Sequence, residues 1–206
     1  MNPKLVSPEL IKATINFHGH SCPGLAIGIR AAELAMDRFG RSLDEEIVAI
    51  VETDMCAVDA IQFLTGCTFG KGNLIHLDYG KSAFTFHSRL DGKSIRIVAR
   101  PNAIADPDDE LIALRTKKLK KELSGSEQKR LKKATAERTK QIMEADIDKL
   151  FDIKPSQGPV PCKARVLESL ICRECGEATM ESRTRRLFGQ TLCSSCFETL
   201  ENRFEK

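Results

Sequence analysis

Tryptophan is absent from the 206 residues and tyrosine occurs once, so ten phenylalanines carry the rest of the aromatic surface. Platforms for stacking nucleic-acid bases need aromatics interleaved with basic side chains. The most basic stretch, 115–140, contains no aromatic residue at all, so nucleic-acid binding has only weak support. No apolar run reaches the length of a membrane span, and the N-terminus has no apolar signal region. A cytoplasmic chain with no membrane partner is expected. A strong excess of either charge is also missing, since the formal net charge is only +3. Its distribution is uneven, however. Residues 1–106 carry 11 basic and 12 acidic side chains, residues 115–140 carry 11 and 3, and residues 172–206 carry 6 of each. Cysteine is plentiful, with eight in the chain. Four have metal spacing, and in a reducing compartment the others read as thiols rather than disulfides.

One stretch organises the rest: Phe17-His18-Gly19-His20-Ser21-Cys22-Pro23-Gly24. Proline suits the first position of a helix, where its missing N–H is not needed. Pro23 therefore makes Cys22 an N-cap. A thiol there faces unpaired backbone N–H groups and the positive end of the helix dipole, which favour thiolate.

Before this stretch, Ser7-Pro8-Glu9 predicts a helix running to about Phe17. After it, a helix from Pro23 to Phe39 should place Leu25, Ile29, Ala32, Met36 and Phe39 on one stripe. Gly24, Gly28, Ala31 and Ala35 form a small-residue edge on which another backbone can approach closely. Ile47–Val51 reads as a buried strand ending at Glu52-Thr53-Asp54-Met55-Cys56. A helix follows, about Val58 to Leu64, and then a glycine-rich loop, Cys67–Asn73. Leu74–Asp78, Ala83–Ser88 and Ser94–Ala99 are strand candidates, the last two joined through an Asp-Gly hairpin signal. These elements predict an α+β core with an antiparallel-rich sheet over residues 1–105. Asp106-Pro107-Asp108 starts a Lys-rich helical connector, 106–154, interrupted at Ser124-Gly125-Ser126. A Pro/Gly-rich linker, 154–161, leads into a small third region, 155–206.

That third region holds Cys172-Arg173-Glu174-Cys175 and Cys193-Ser194-Ser195-Cys196, two CxxC pairs separated by 17 residues. Zinc takes four ligands in a tetrahedron, and two CxxC turns close such a site. The pattern predicts a structural zinc ribbon or treble-clef-like domain with Cys172, Cys175, Cys193 and Cys196 as ligands. All four positions are filled by cysteine, which leaves no open position for chemistry. In so short a domain the metal supplies folding energy.

In the core, His20, Cys22, Cys56 and Cys67 are soft donors suited to zinc or iron, with His18 as an alternate. Cys22 is expected either to ligate a metal with His20 and Cys56 or to act as a free nucleophile. His18 would then face substrate or support a ligand, and Asp54 or Asp59 would orient one. Lys71 would bind an anionic substrate group, and Cys67 would contribute to cofactor binding. Gly66–Lys71 falls one residue short of a phosphate loop and has no Ser or Thr after the lysine.

Three segments together carry a resemblance: Phe17–Gly24, Glu52–Gln62 and Leu64–Leu74. Over about residues 14–100 the chain resembles the FmdE family of formylmethanofuran dehydrogenase subunits. That resemblance implies an α+β core with a Cys/His-lined groove and an association with one-carbon metabolism through a molybdenum or tungsten enzyme. Some members are similar further along, with a C-terminal zinc ribbon after the core.

Two functions fit this reading. One is a metal- or thiol-dependent protein, enzyme or accessory subunit, acting on an unknown small molecule beside a redox-enzyme partner. The other is a ligand-sensing regulator whose ribbon and basic helices bind nucleic acid or a protein. A homodimer is expected in either case, because the helices of 106–150 are too long and too polar to bury against one core.

Overall fold

In the computed structural model, residues 6–104, 109–156 and 158–201 are described. The chain forms two compact units, 1–163 and 164–206. Among the described residues no helix is long and apolar enough to cross a membrane.

The first unit opens with α1 (Pro8–His18), capped by the Ser7 hydroxyl, which accepts from the Leu10 N–H at 3.2 Å. Gly19, at φ +91°, turns the chain out of the helix. This left-handed conformation costs glycine little. Next comes α2 (Pro23–Phe39), with Cys22 as its N-cap as the Cys-Pro pair predicts. Then follow β1 (Ile47–Val51), α3 (Ala57–Thr65), β2 (Leu74–His76), β3 (Ala83–Ser88) and β4 (Ser94–Ala99). The short α4 (Pro101–Ile104) precedes α5 (Asp109–Leu119), α6 (Gly125–Glu144), α7 (Ile147–Leu150) and β5 (Phe151–Lys154). The helix start read at 106–108 lies outside the described residues.

The sheet runs β2-β1-β3-β4-β5. Only β1 and β2 are parallel; the other three pairings are antiparallel. This is the expected α+β core with one unforeseen strand. β5 falls in the stretch read as the end of a helix and the start of a linker, yet Phe151 pairs with Ala99 and Ile153 with Ile97. Its single buried aromatic, Phe151, joins Phe84, Phe86 and Ile97 in the core. Each such side chain contributes roughly 1.5–3 kcal/mol when fully buried. Four residues with one buried aromatic show too little alternation to be recognised as a strand from sequence.

The second departure is α2. One stripe was expected, and Leu25, Ile29 and Ala32 do form a cluster, with Met36 packed against it. Ala31 and Ala35 of the small-residue edge, with Ile27 beside them, are buried as well, in the sheet core. α2 is therefore the central helix of the unit. At Gly28 an added Cβ would lie 2.3 Å from the Ala57 carbonyl oxygen, so α3 crosses α2 at backbone distance. Within α2, the buried Arg30 pairs with Glu33 and also donates to the Ala145 carbonyl at the C-cap of α6 (3.0 Å). Ile142 and Met143 of α6 pack into the same core, so the C-terminal half of α6 lies on α2. Its N-terminal half packs on α5 through Leu111, Leu114 and Leu131. Its start is fixed by a Ser124/Glu127 capping box.

The second unit consists of two hairpins and a helix. β6 (Ser169–Ile171) pairs with β7 (Ala178–Met180), and β8 (Thr184–Leu187) pairs with β9 (Gln190–Cys193) after one turn of 3₁₀ helix at Glu181–Arg183. α8 (Ser194–Glu201) follows directly.

Candidate metal centres and the adjoining cleft

In the second unit the four predicted cysteines come together, their sulfurs all within 4.8 Å of one another. Cys172 lies just past β6, and Gly176 at φ +76° turns the chain so that Cys175 swings back beside it. Cys193 ends β9, and Cys196 sits in the first turn of α8. The Arg173 N–H donates to the Thr191 carbonyl (2.9 Å) and ties the first turn to the second hairpin. The Cys175–Cys193 sulfur separation is 4.0 Å, close to the edge of about 3.8 Å set by a tetrahedron with metal–sulfur bonds of about 2.3 Å. Backbone N–H groups of Cys175 and Cys193 pull the Cys172 thiol down to about 6. The Cys196 thiol, sharing a hydrogen bond with Cys193, is pushed up to about 12. Four such sulfurs cannot all be thiolates unless a cation sits among them, and the donor set fits zinc.

In the first unit, His18, His20 and Cys22 place their donor atoms within 4.8 Å of one another. Local structure explains the clustering. His18 closes α1, Gly19 reverses the chain, and Cys22 opens α2, so the three side chains line a four-residue turn. The Cys22 sulfur accepts the Leu25 N–H at 3.4 Å. The two imidazole rings lie 4.5 Å apart, centroid to centroid. His18 Nδ1 is 2.7 Å from Asp59 Oδ2. An ionised carboxylate only accepts, so Nδ1 is the donor in this contact, and Nε2 is the nitrogen turned toward Cys22. That Nε2 lies 3.9 Å from the Cys22 sulfur. This is the carboxylate–histidine arrangement that orients metal-ligating imidazoles. An edge of about 3.6 Å is expected between nitrogen and sulfur ligands of one tetrahedral zinc.

The remaining sequence candidates fall in different places. Cys56 is not within the 4.8 Å set but borders it. A Cβ at Gly24 would lie 3.8 Å from the Cys56 sulfur and 4.0 Å from that of Cys22. Burial, and then the neighbouring Cys22, raise the Cys56 thiol above its ordinary value. Asp59, rather than Asp54, meets an imidazole; Asp54 is exposed. Cys67 is sealed in the core, where its sulfur donates to the Ile47 carbonyl at 3.5 Å and burial raises its pKa. It behaves as a small apolar residue. Lys71 donates to the Asp44 carbonyl at 2.7 Å, beside the buried Asn73. Asn73 in turn donates to the Asp44 and Ile47 carbonyls and accepts from the Thr68 N–H. The glycine-rich loop is thus tied through Lys71 and Asn73 to the backbone at Asp44 and Ile47.

Beside His20 opens a cleft of about 970 Å³. One wall is His20 and Ser21; the others are the end of α5, the turn after it and one flank of α6. Sequence reading missed this cleft because its lysines lie in the stretch taken as a solvated connector.

With this geometry established, four similarities bear on it. The model of the family described as "FmdE, Molybdenum formylmethanofuran dehydrogenase operon" matches residues 17–152. That of the "Prokaryotic dksA/traR C4-type zinc finger" matches residues 167–202. A probable S-adenosyl-L-methionine-binding protein of Archaeoglobus fulgidus is 32% identical over 207 residues, covering 95% of this chain and 54% of that protein. The chain thus spans about half the length of that relative. Among solved structures, a tungsten formylmethanofuran dehydrogenase FmdE-like protein from Syntrophus aciditrophicus superposes with a TM-score of 0.64 at 24% identity, over 98% of this chain and all of that one. At that identity the likeness concerns the fold.

Proposed function

Because the chain belongs to the FmdE family, its FmdE-like core fused to a C4-type zinc finger, we propose that it is a metal-dependent protein acting on a small molecule. In this reading His18 Nε2, His20 and Cys22 hold one zinc or iron ion. Asp59 fixes the His18 ring, and Cys56 faces the bound molecule or supplies a further donor. The finger holds a second, structural zinc. Three protein donors would leave such an ion a position for the bound molecule, as in catalytic sites, and the cleft beside His20 supplies room for it. The association with one-carbon metabolism and a redox-enzyme partner belongs to the same reading, as does a cytoplasmic location, where exposed free thiols such as Cys162 persist. The observation that carries the proposal is the Asp59–His18 pair, which turns Nε2 toward the sulfur of Cys22.

Metal analysis of the purified chain tests it. Two metals per chain are expected, falling to one in Cys22→Ser. Asp59→Asn should retain the site with affinity lower by about 10–100-fold. A single metal per chain, unchanged by Cys22→Ser, would remove the core site.

A further inference from the structure

We propose that the cleft beside His20 binds a small organic polyanion: an apolar body carrying two or more carboxylate or phosphate groups. This deepens the reading of the core site and rests on it, since His20 is shared by the cleft and the candidate metal cluster.

The charge of the walls is one-sided. Lys118, Lys121, Lys132 and Lys140 line the cleft, and among the described residues no acidic side chain does. Lys117, one residue before the first of them, is by contrast paired with Glu127. The four lining lysines form no ion pair among the described residues. Like charges gathered around a low-dielectric concavity repel one another and lower the potential energy of any anion placed between them. The floor is apolar, lined by Leu123, Leu131 and Met143. A volume of about 970 Å³ suits a ligand of roughly nucleotide size.

The backbone gives an independent sign. α5 ends in a Schellman turn: the Glu122 N–H donates to the Lys117 carbonyl and the Lys121 N–H to the Lys118 carbonyl. The left-handed position of such a turn is usually glycine. Here it is Lys121, at φ +60°, a conformation lysine adopts only at a cost. The strained residue is one of the four whose side chains line the cleft. The lysines on α6 are spaced i and i+8 on the flank that faces His20, whereas Lys129 and Lys133 of the same helix do not line the cleft.

The probe is bis-ANS, a disulfonated dianion with an apolar aromatic body, titrated by fluorescence into the full-length protein. One saturable site per chain is expected. The double variant Lys132→Glu/Lys140→Glu should weaken it by about tenfold or more, and Lys132→Gln/Lys140→Gln by less. Lys129→Glu/Lys133→Glu changes net charge equally off the cleft and should shift affinity less than about twofold. Inorganic pyrophosphate and tricarballylate then compete, and whichever acts at lower concentration assigns phosphate or carboxylate as the natural group. Equal weakening by both glutamate pairs, absence of saturation, or displacement by a single-stranded oligonucleotide but by neither small anion would overturn the proposal. Metal content is measured on the same samples. Lysine-dependent dye binding with no core metal overturns the metal reading alone, whereas a full metal complement without lysine dependence overturns the cleft alone.

Discussion

Asp59 shows how a single carboxylate settles the role of an imidazole. From sequence, His20 is the expected partner of Cys22 with His18 as the alternate, and Asp54 and Asp59 are equivalent orienting groups. The 2.7 Å contact between Asp59 and His18 chooses between the carboxylates and gives the alternate imidazole the oriented position. The residue types and the turn that holds them were legible, because Cys-Pro at a helix start and Gly after a helix end are local signals. The partner was not, because α1 meets α3 across 41 residues of chain, and no local spacing encodes that. His87 makes the same point in reverse. It lies fully buried in β3 with Nδ1 lacking a hydrogen-bond partner among the described residues, and burial lowers its pKa below the ordinary 6.5. The folded chain therefore disfavours its protonation, while the unfolded chain takes up the proton near 6.5. Stability should be fully present above that value and decline as pH falls below it. Denaturant titrations at about pH 7.5 and about pH 5.5, either side of the ordinary imidazole value, should show a larger acid loss in the wild type than in His87→Gln. Equal losses would place the acid sensitivity elsewhere.

Among the elements, the pair α2 and α3 sets the positions of both half-buried core thiols and of the carboxylate that meets His18. Cys22 caps α2, Cys56 caps α3, and Asp59 lies in the first turn of α3. Their approach depends on Gly28, where a Cβ would meet the Ala57 backbone at 2.3–2.8 Å. A backbone cannot yield as a flexible side-chain end can. Gly28→Ala should therefore cost roughly 3 kcal/mol, at the upper end of overpacking, despite alanine's better helix propensity. Urea unfolding measures it; a variant as stable as the wild type would mean that the helices are free to separate. The small-residue edge was visible in the sequence as a place of close approach. What it approached was not, because Gly24, Gly28, Ala31 and Ala35 carry no side chain long enough to specify a partner. β5 was illegible for the opposite reason: its place in the sheet comes from pairing with β4 rather than from its own pattern. The basic helices illustrate a third case. Composition alone marks α6 as solvated, yet it has an apolar contact at each end, Leu131 toward α5 and Ile142 toward the sheet core, with the cleft opening along its flank.

At the scale of the whole molecule, the division at 163/164 separates two kinds of stability. The first unit has a large apolar core. The second has a small cluster in which Cys172 and Cys193 surround Leu192. So little burial leaves folding to the metal. Cys175→Ser should unfold the finger and leave the first unit intact, as seen by two-dimensional NMR; a finger that keeps its fold and its zinc would refute the ligand assignment.

The division also bears on assembly. The linker from Ser156 to Cys162 is held to the first unit by Arg89, which donates to the Pro161 and Cys162 carbonyls, and by Ser94, which donates to that of Ser156. Beyond it the chain enters the second compact unit, 164–206. On the helices, Ile112 and Leu119 of α5 expose about half and most of their surface (49% and 85%), an apolar area that a long polar helix pair does not cover by itself. A second copy of the chain is the partner that closed symmetry supplies at no cost in further sequence. We propose a homodimer on these grounds. Light scattering should give twice the mass of one chain at micromolar concentration, and Leu119→Glu should shift the population toward one. A mass of one chain at every concentration would exclude the dimer, and a dimer indifferent to Leu119→Glu would move the contact off α5.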